Sequence, residues 1–511
     1  MVAIEKSLDT AALASATAVS FKQRKQNNSA VYRPEKLVVI GQAQTGKTPR
    51  YNVPALSSGN ADDAGILYGY GSPLHRIACK LFPRNGNGCK VDTYFIPVAA
   101  PTTGAAEVKT VAISATSVTK SFNGYIKVQD LPFEAAADIA GKVATRYQKN
   151  PAQAPRGLDL NSFETQYIPF TLVKGMTAAE IANSLVDVML EEMNLPFTPA
   201  VVTNNNTVTI TLTAKWVGGD SAFSFEIVNE DDETIAAADT GVSFTITRTT
   251  EAAGTGAIPA EALNALDTEF GVTRVVSQFS STTVLDKLQE KFDSFRDALI
   301  AQYVICYTSK EAPENNEIPG TYDKETLITL GTARRNDMIN VQIYGDYGNL
   351  RRLEYNERNQ LLKAGISNIV KKPDGSYTLW DLVTFYHPQG QALPLYRYDR
   401  DITVLANCAY DIMNTFRDSD EWKSIILIAD GDITSNPAAR SLKDIKAEIN
   451  VRIGLLGQAG FIANYVEAQK NTQIEIDSSN PNRVNMNPYF DITGVGRIFD
   501  IKNFVGFYFG G

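Results

Sequence analysis

The sequence predicts an α/β core interrupted by an inserted β-rich domain, followed by a mixed α+β C-terminal domain, with extended arms at both ends. Three observations predict it. Apolar strands alternate with amphipathic helices before about residue 100 and again after about residue 262. Between them lies a Thr-, Ala- and Val-rich stretch in which apolar and polar residues alternate strictly. The first residues show no apolar pattern that could make a core, and the last residues form an apolar strand.

The elements follow in order. Residues 1–30 are polar and include the run Lys-Gln-Arg-Lys-Gln-Asn-Asn at 22–28, so they read as an arm. Residues 31–100 open an α/β domain with a strand at 37–40, a short helix at 74–79 and a strand at 91–96. Residues 101–260 form the insertion. In 207–216, Val208, Ile210, Leu212, Ala214 and Trp216 share one face, as a half-buried antiparallel strand requires. Phe223, Phe225 and Ile227 repeat the pattern, as do Val242, Phe244 and Ile246. One helix is embedded: Thr177 and Glu180 make a capping box, with Ile181, Leu185 and Val188 behind it. Residues 261–350 resume the α/β domain. They hold a strand at 272–279, a helix at 284–300 with Leu285, Leu288, Phe292, Phe295 and Leu299 inward, and strands at 302–307 and 339–344. A mainly parallel sheet follows, and the two ends of the insertion must lie close in space. Residues 351–495 form the C-terminal domain, which includes a capped helix from Ser441 with Leu442, Ile445 and Ile449 inward. Residues 496–511 are the C-terminal arm.

Length and composition narrow the function. A chain of 511 residues exceeds a single core. With 48 basic and 57 acidic residues the net charge is -9, which argues against a general nucleic-acid binder. No run approaches the roughly 20 apolar residues of a membrane helix, and the acid-containing start does not read as a secretory signal. Cys79, Cys89, Cys306 and Cys408 are scattered and read as reduced thiols, although Cys79 and Cys89 are near enough in sequence to bridge.

Site chemistry is sparse. His75 and His387 are the two histidines, and each reads as a packed or surface residue. No metal, cofactor or catalytic constellation is expected. One motif argues otherwise: residues 41–48, Gly-Gln-Ala-Gln-Thr-Gly-Lys-Thr, match a nucleotide-binding P-loop and follow the apolar strand 37–40. Asp430, after the apolar run 425–428, would be its acidic partner. A P-loop must hand over to a helix whose amides and dipole hold phosphate. Here Pro49 is followed by Pro54, which pushes Val53 out of the helical region, and then by a polar loop. A P-loop ATPase is therefore the alternative and a non-enzyme the expectation.

The C-terminus carries a positive signal. Phe499, Ile501, Val505, Phe507 and Phe509 share one face; Ile498 and Phe504 complete the apolar set, and Asp500 and Lys502 interrupt the other side. Such a strand docks in its own sheet or completes a neighbour's by β-augmentation. On the helix after Ser441, Lys443 and Lys446, with Arg440 just before it, fall on or near the outer side and suit an acidic partner.

In sequence order, several segments resemble the Mu-type tail sheath family of contractile phages. Residues 38–44 (Val-Val-Ile-Gly-Gln-Ala-Gln) resemble its first core strand and turn. Residues 62–72 resemble its segment ending in a Phe/Tyr-Gly-x-Gly-Ser turn, here from Tyr68 to Ser72. Residues 207–216 resemble a strand of its inserted domain. Residues 361–369 and 374–380 resemble its helix end and following hairpin, with the departure that Asp381, Leu382 and Val383 stand where the family often has Gly-Ala-Arg.

The resemblance implies a structural subunit of stacked hexameric rings, a helical lattice around a tail tube, that contracts to drive the tube through the host envelope. It implies that the arms 1–30 and 496–511 exchange strands with neighbouring copies, and that 101–260 faces outward while 351–495 faces the tube. The implied partners are further copies, the tube protein, and baseplate and terminator proteins, with no nucleic acid, no cofactor and no membrane insertion. The implied place is the virion tail sheath, assembled in the bacterial host cytoplasm. A baseplate component or a secretion-machine sheath is the structural alternative.

Overall fold

The computed structural model of the protein describes residues 33–82, 91–129, 165–204, 207–254, 258–267, 269–279, 282–296, 305–307, 341–343, 354–363, 365, 367–371, 377–381, 383–384, 386, 396–494 and 496. They make a mixed α/β structure with several sheets and helices. Described residues from 35 to 399 form one unit; residues 33 and 34 and those from 400 onward form another.

The first unit is organised by strand Lys36–Gln42. Leu37, Val38, Val39 and Ile40 are all fully buried, so both faces of the strand are covered and both backbone edges need partners. Arg274–Ser277 pairs on one side (Val38 opposite Val275) and Asp92–Val98 on the other (Val38 opposite Tyr94), both parallel. Ile305–Tyr307 extends the parallel sheet beyond Arg274–Ser277, and the two-residue strand Ala55–Leu56 closes the other edge antiparallel. Helix Thr282–Arg296 covers one face through Leu288, Phe292 and Phe295. Helix Pro73–Leu81 packs on the central strand and buries Leu74, Ile77, Ala78 and Leu81.

One expectation is corrected. The strand foreseen at 339–344, seen as Val341–Ile343, does not join the parallel sheet. It pairs antiparallel with Tyr377–Asp381, which also pairs with Asn368–Lys371. The antiparallel pair Asn368–Lys371 and Tyr377–Asp381 offers an edge, and an antiparallel edge needs no crossover to fill.

Between Val98 and Ile258 lie two antiparallel sheets. The four-stranded one runs Val242–Thr250, Val108–Ala115, Thr207–Ala214, Phe197–Asn204; the three-stranded one runs Thr165–Leu172, Phe122–Gln129, Phe225–Val228. The alternation in Thr207–Ala214 works as the sequence predicts: Val208, Ile210, Leu212 and Ala214 are buried while Thr207 and Thr213 are exposed. Helix Ala178–Leu190 starts at the expected capping box, in which Glu180 N–H donates to Thr177 and Thr177 N–H to Glu180. Its buried stripe is Ile181, Leu185 and Met189; Val188 is only half-buried, because the four-residue step continues to Met189. Both sheets and the helix share one core. The segment's two ends meet where Ala105 and Ala253 exchange backbone bonds of 2.8 and 3.1 Å.

Arg274 ties distant parts of this unit together. Its guanidinium is fully buried, 2.6 Å from Asp399 and 3.3 Å from Glu35. Arg397 donates to the Leu362 carbonyl at 2.6 Å, and Arg296 stacks on Tyr396. These contacts explain why 354–399 group with the parallel-sheet unit rather than with the residues after 400.

The second unit has its own core of Val404, Cys408, Trp422, Ile445, Ile449, Ile453, Leu456 and Phe461, built around helix Leu442–Gln458. Asp411 accepts both Nε and Nη2 of Arg452 inside it, a paired buried charge. The apolar run 425–428 yields only the short strand Ile426–Leu427, with Ile426 half exposed, paired parallel with Ala439–Arg440. A two-stranded antiparallel hairpin, Gln473–Ile476 with Val484–Asn487, completes the unit's larger features.

Replacing Arg274 by Met would leave Glu35 and Asp399 without their common cation. We expect a loss of about 3–5 kcal/mol in urea unfolding; an unchanged midpoint would show that the cluster does not hold the unit together.

Candidate functional site

The P-loop-like segment 41–48 leaves the end of strand Lys36–Gln42 and makes a turn, and residues 47–54 continue without a helix. Several of its polar groups are engaged by the protein. Gln44 N–H donates to the Tyr68 carbonyl at 2.8 Å, Thr45 N–H to the Lys215 carbonyl at 2.8 Å, and Lys47 N–H to the Gln44 carbonyl at 3.0 Å. Lys47 Nζ reaches the Ile66 carbonyl at 3.3 Å. A phosphate cradle needs those amides pointing at the ligand and a helix N-terminus behind them. Asp430, the acidic partner foreseen for the loop, accepts the Lys443 backbone N–H at 3.2 Å. The arrangement is that of a structural turn.

His75 and Cys79 lie one turn apart on helix Pro73–Leu81 and are both buried. His75 Nδ1 accepts the Gly71 N–H at 3.0 Å, which places the ring proton on Nε2, 3.4 Å from Cys79 Sγ. His75 therefore fastens the turn before its own helix. Cys79 and Cys408 are free thiols, and burial pushes Cys408 up to about 12, with Asp411 adding to the effect. His387 and Cys89, and with Cys89 any bridge to Cys79, lie outside the described residues.

The three cations foreseen around Ser441 separate in the structure. Ser441 caps helix Leu442–Gln458 by accepting the Asp444 N–H, while Asp444 accepts the Ser441 N–H. Arg440 is half-buried before the helix: it stacks over Trp422 at 5.4 Å, lies 3.6 Å from Glu421 and donates to two backbone carbonyls. Lys443 and Lys446 are exposed. Together with Lys470 they line an open cleft of about 830 Å³, whose other lining residues include Gln473, Asn487, Tyr489 and one carboxylate, Asp430. Nothing in the local sequence marks Lys470 as a member of this group. It comes from the short helix Tyr465–Asn471, and only the fold brings that helix's end beside residue 443. Lys443 lies 3.9 Å from Asp430 and Lys470 3.5 Å from Glu467, and exposed pairs of this kind contribute little.

The hairpin Gln473–Ile476/Val484–Asn487 forms one wall of this cleft. Among the described residues neither of its outer edges is paired. Two strands alone are marginal in water, and a bare edge is a template for another strand. Both described chain ends, Arg33 and Gly496, belong to the same unit as the hairpin, and Arg33 N–H donates to Asn407 at 2.8 Å. The arm residues Ile498, Phe499, Ile501, Phe504, Val505, Phe507 and Phe509, like residues 1–30, lie outside the described residues.

Two outcomes follow. ATP should leave the melting temperature of the wild type and of Lys47→Ala unchanged; a stabilisation abolished by the substitution would restore the nucleotide site. In the hairpin turn, Asp477 accepts from Ser479 Oγ and from the Ser479 and Asn480 amides, which hold its carboxyl at about 2 against an ordinary 3.8. The folded turn is therefore favoured above pH 3.8, and this contribution disappears as pH falls through about 2. Amide NMR of Ser479 and Asn480 should show the bonded shifts persisting at pH 3.5 and lost near pH 2; a change centred at 3.8 would contradict the bonding.

No family model matches the chain, and no curated protein matches it either. Among solved structures it is similar to a sheath tail protein from Listeria innocua, at 9% identity and a TM-score of 0.42, over 91% of this chain and 93% of that one. It is similar to a sheath tail protein from Desulfitobacterium hafniense at 12% identity and a TM-score of 0.41, over 90% and 93%. A third similarity, at 11% identity and a TM-score of 0.36, over 96% and 99%, is to the helical sheath of the anti-feeding prophage in its contracted state.

Proposed function

We propose that this chain is a structural subunit of a contractile tail sheath, of the Mu type, that assembles as stacked hexameric rings around a tail tube. Its contraction drives the tube through the host envelope. The observation that carries this reading is the two-stranded hairpin whose outer edges are unpaired among the described residues, in the same unit as both described chain ends. The sequence supplies what such a hairpin lacks: an apolar terminal strand and a long N-terminal arm. Arms of adjacent copies add strands to the hairpin, and each ladder bond contributes about 0.5–1.5 kcal/mol net. Links of this kind survive while the folded units shift past one another. The ordered likeness of residues 38–44, 62–72, 207–216, 361–369 and 374–380 to that family's segments supports the same reading.

The lysine cleft is the proposed tube contact. Lys443 and Lys446, joined by Lys470, meet acidic groups on the tube, while Arg440 props the helix start through Trp422. Baseplate and terminator proteins are the remaining partners, and the virion tail is the place of action.

Negative-stain microscopy of the purified chain tests the proposal: hollow tubes are expected, and discrete particles at all concentrations would refute it. Deleting residues 498–511 should leave a folded monomer that makes no tubes. Charge reversal at both Lys443 and Lys446 should abolish co-assembly with an acidic tube while tubes of the chain alone persist; retained co-assembly would move the contact elsewhere.

A further inference from the structure

Within residues 41–48, several polar groups reach across to distant parts of the chain. Thr45 N–H bonds the carbonyl of Lys215, and the side chain of Gln42 donates to the carbonyl of Val217 at 2.9 Å. Both acceptors sit just after strand Thr207–Ala214 of the inserted domain. The loop at the end of the central parallel strand therefore receives the exit of an inserted strand.

Two more contacts occupy the same place. Lys215 Nζ donates to the Tyr70 carbonyl at 2.7 Å and to the Met193 carbonyl at 2.8 Å, so one ammonium joins a turn of the core to the end of the inserted helix region. Burial holds it down at about 8, and the two carbonyls stand in for the water it has lost. Beside it the Arg76 guanidinium lies 5.1 Å from the centre of the Trp216 ring, with both side chains buried. The surfaces approach so closely at Gly71 that a Cβ there would stand 2.4 Å from the Leu195 carbonyl oxygen and 3.0 Å from that of Asn194.

A neck of two paired chains at Ala105 and Ala253 would by itself leave the insertion free to swing. We propose that residues 41–48 are a socket that fixes the inserted domain to the parallel sheet, with Lys215 as the pin and Gly71 as the clearance, so that both turn as a single mechanical body. Three stretches of the core take part: the loop, the Gly69–Ser72 turn and Arg76 on the following helix. Contacts at three places besides the neck remove the swing. This goes beyond the sheath reading and does not require it.

The test separates wedging from backbone strain. Gly71 and Gly59 have nearly the same positive φ, +79° and +80°, but a Cβ at Gly59 meets nothing within 4 Å. Both alanine variants carry the same turn strain, and only Gly71→Ala forces the interface apart. Native-state hydrogen exchange should show the Thr45 amide exchanging about tenfold faster or more in Gly71→Ala and unchanged in Gly59→Ala, while the Ile210 amide inside the insertion stays protected in both. Equal Thr45 protection in the two variants would overturn the socket. Lys215→Met, with Lys215→Arg as its conservative control, gives the second route and carries the test alone if Gly71→Ala does not fold. The Thr45 amide should open in the Met variant and recover in part with Arg. A Thr45 amide as protected in Lys215→Met as in the wild type would likewise reject the pin.

Discussion

Full burial of the strand Lys36–Gln42 is the constraint from which the larger unit follows. Four consecutive apolar residues with no exposure demand a covered face on each side and a hydrogen-bonded neighbour on each edge. The neighbours are Asp92–Val98, early in the chain, and Arg274–Ser277, about 180 residues later. Everything between those two strands has to leave the sheet and return to it, so the insertion is a loop of the sheet grown into a body with its own core. The ends of the strand are used as well. Glu35, just before it, faces the buried Arg274, and Gln42, at its end, holds Val217. One strand thus sets the sheet, the position of the buried cation and the seat of the inserted domain.

Local rules made much of this legible beforehand. The alternation at 207–216, the capping box at Thr177, the cap at Ser441 and the inward Leu288, Phe292 and Phe295 of helix Thr282–Arg296 each depend on residues a few positions apart, and each appears as expected. What was not legible depends on partners far away in sequence. Nothing local to Val341–Ile343 says that its edge belongs to Tyr377–Asp381. Nothing around Lys470 says that it will stand in the cleft of Lys443 and Lys446, and nothing around Lys215 says that its ammonium will bridge Tyr70 and Met193. The P-loop letters show the opposite case. Residues 41–48 satisfy the pattern, but Pro49 and Pro54 deny it the helix that gives the pattern its chemistry, and the loop's amides serve the fold.

Charge is handled differently at buried and exposed positions. Arg274 and Arg452 are inside, each with carboxylate partners, so each fixes one geometry at the expense of tolerance to substitution. Lys443, Lys446 and Lys470 are outside and screened, so their contribution depends on ionic strength and on what approaches. The buried pairs therefore fix local geometry within each unit, while the exposed lysines leave the surface charge open to its surroundings.

The ribbon formed by Gln473–Ile476 and Val484–Asn487 also has a kinetic consequence. Among the described residues its rims are unpaired, and Glu475 is the one charge on its two strands, so little in the ribbon opposes a second strand. Pairing at such a rim needs two chains to meet, so its rate rises with the square of concentration. Crowding, as much as affinity, would then set how often the rim is filled.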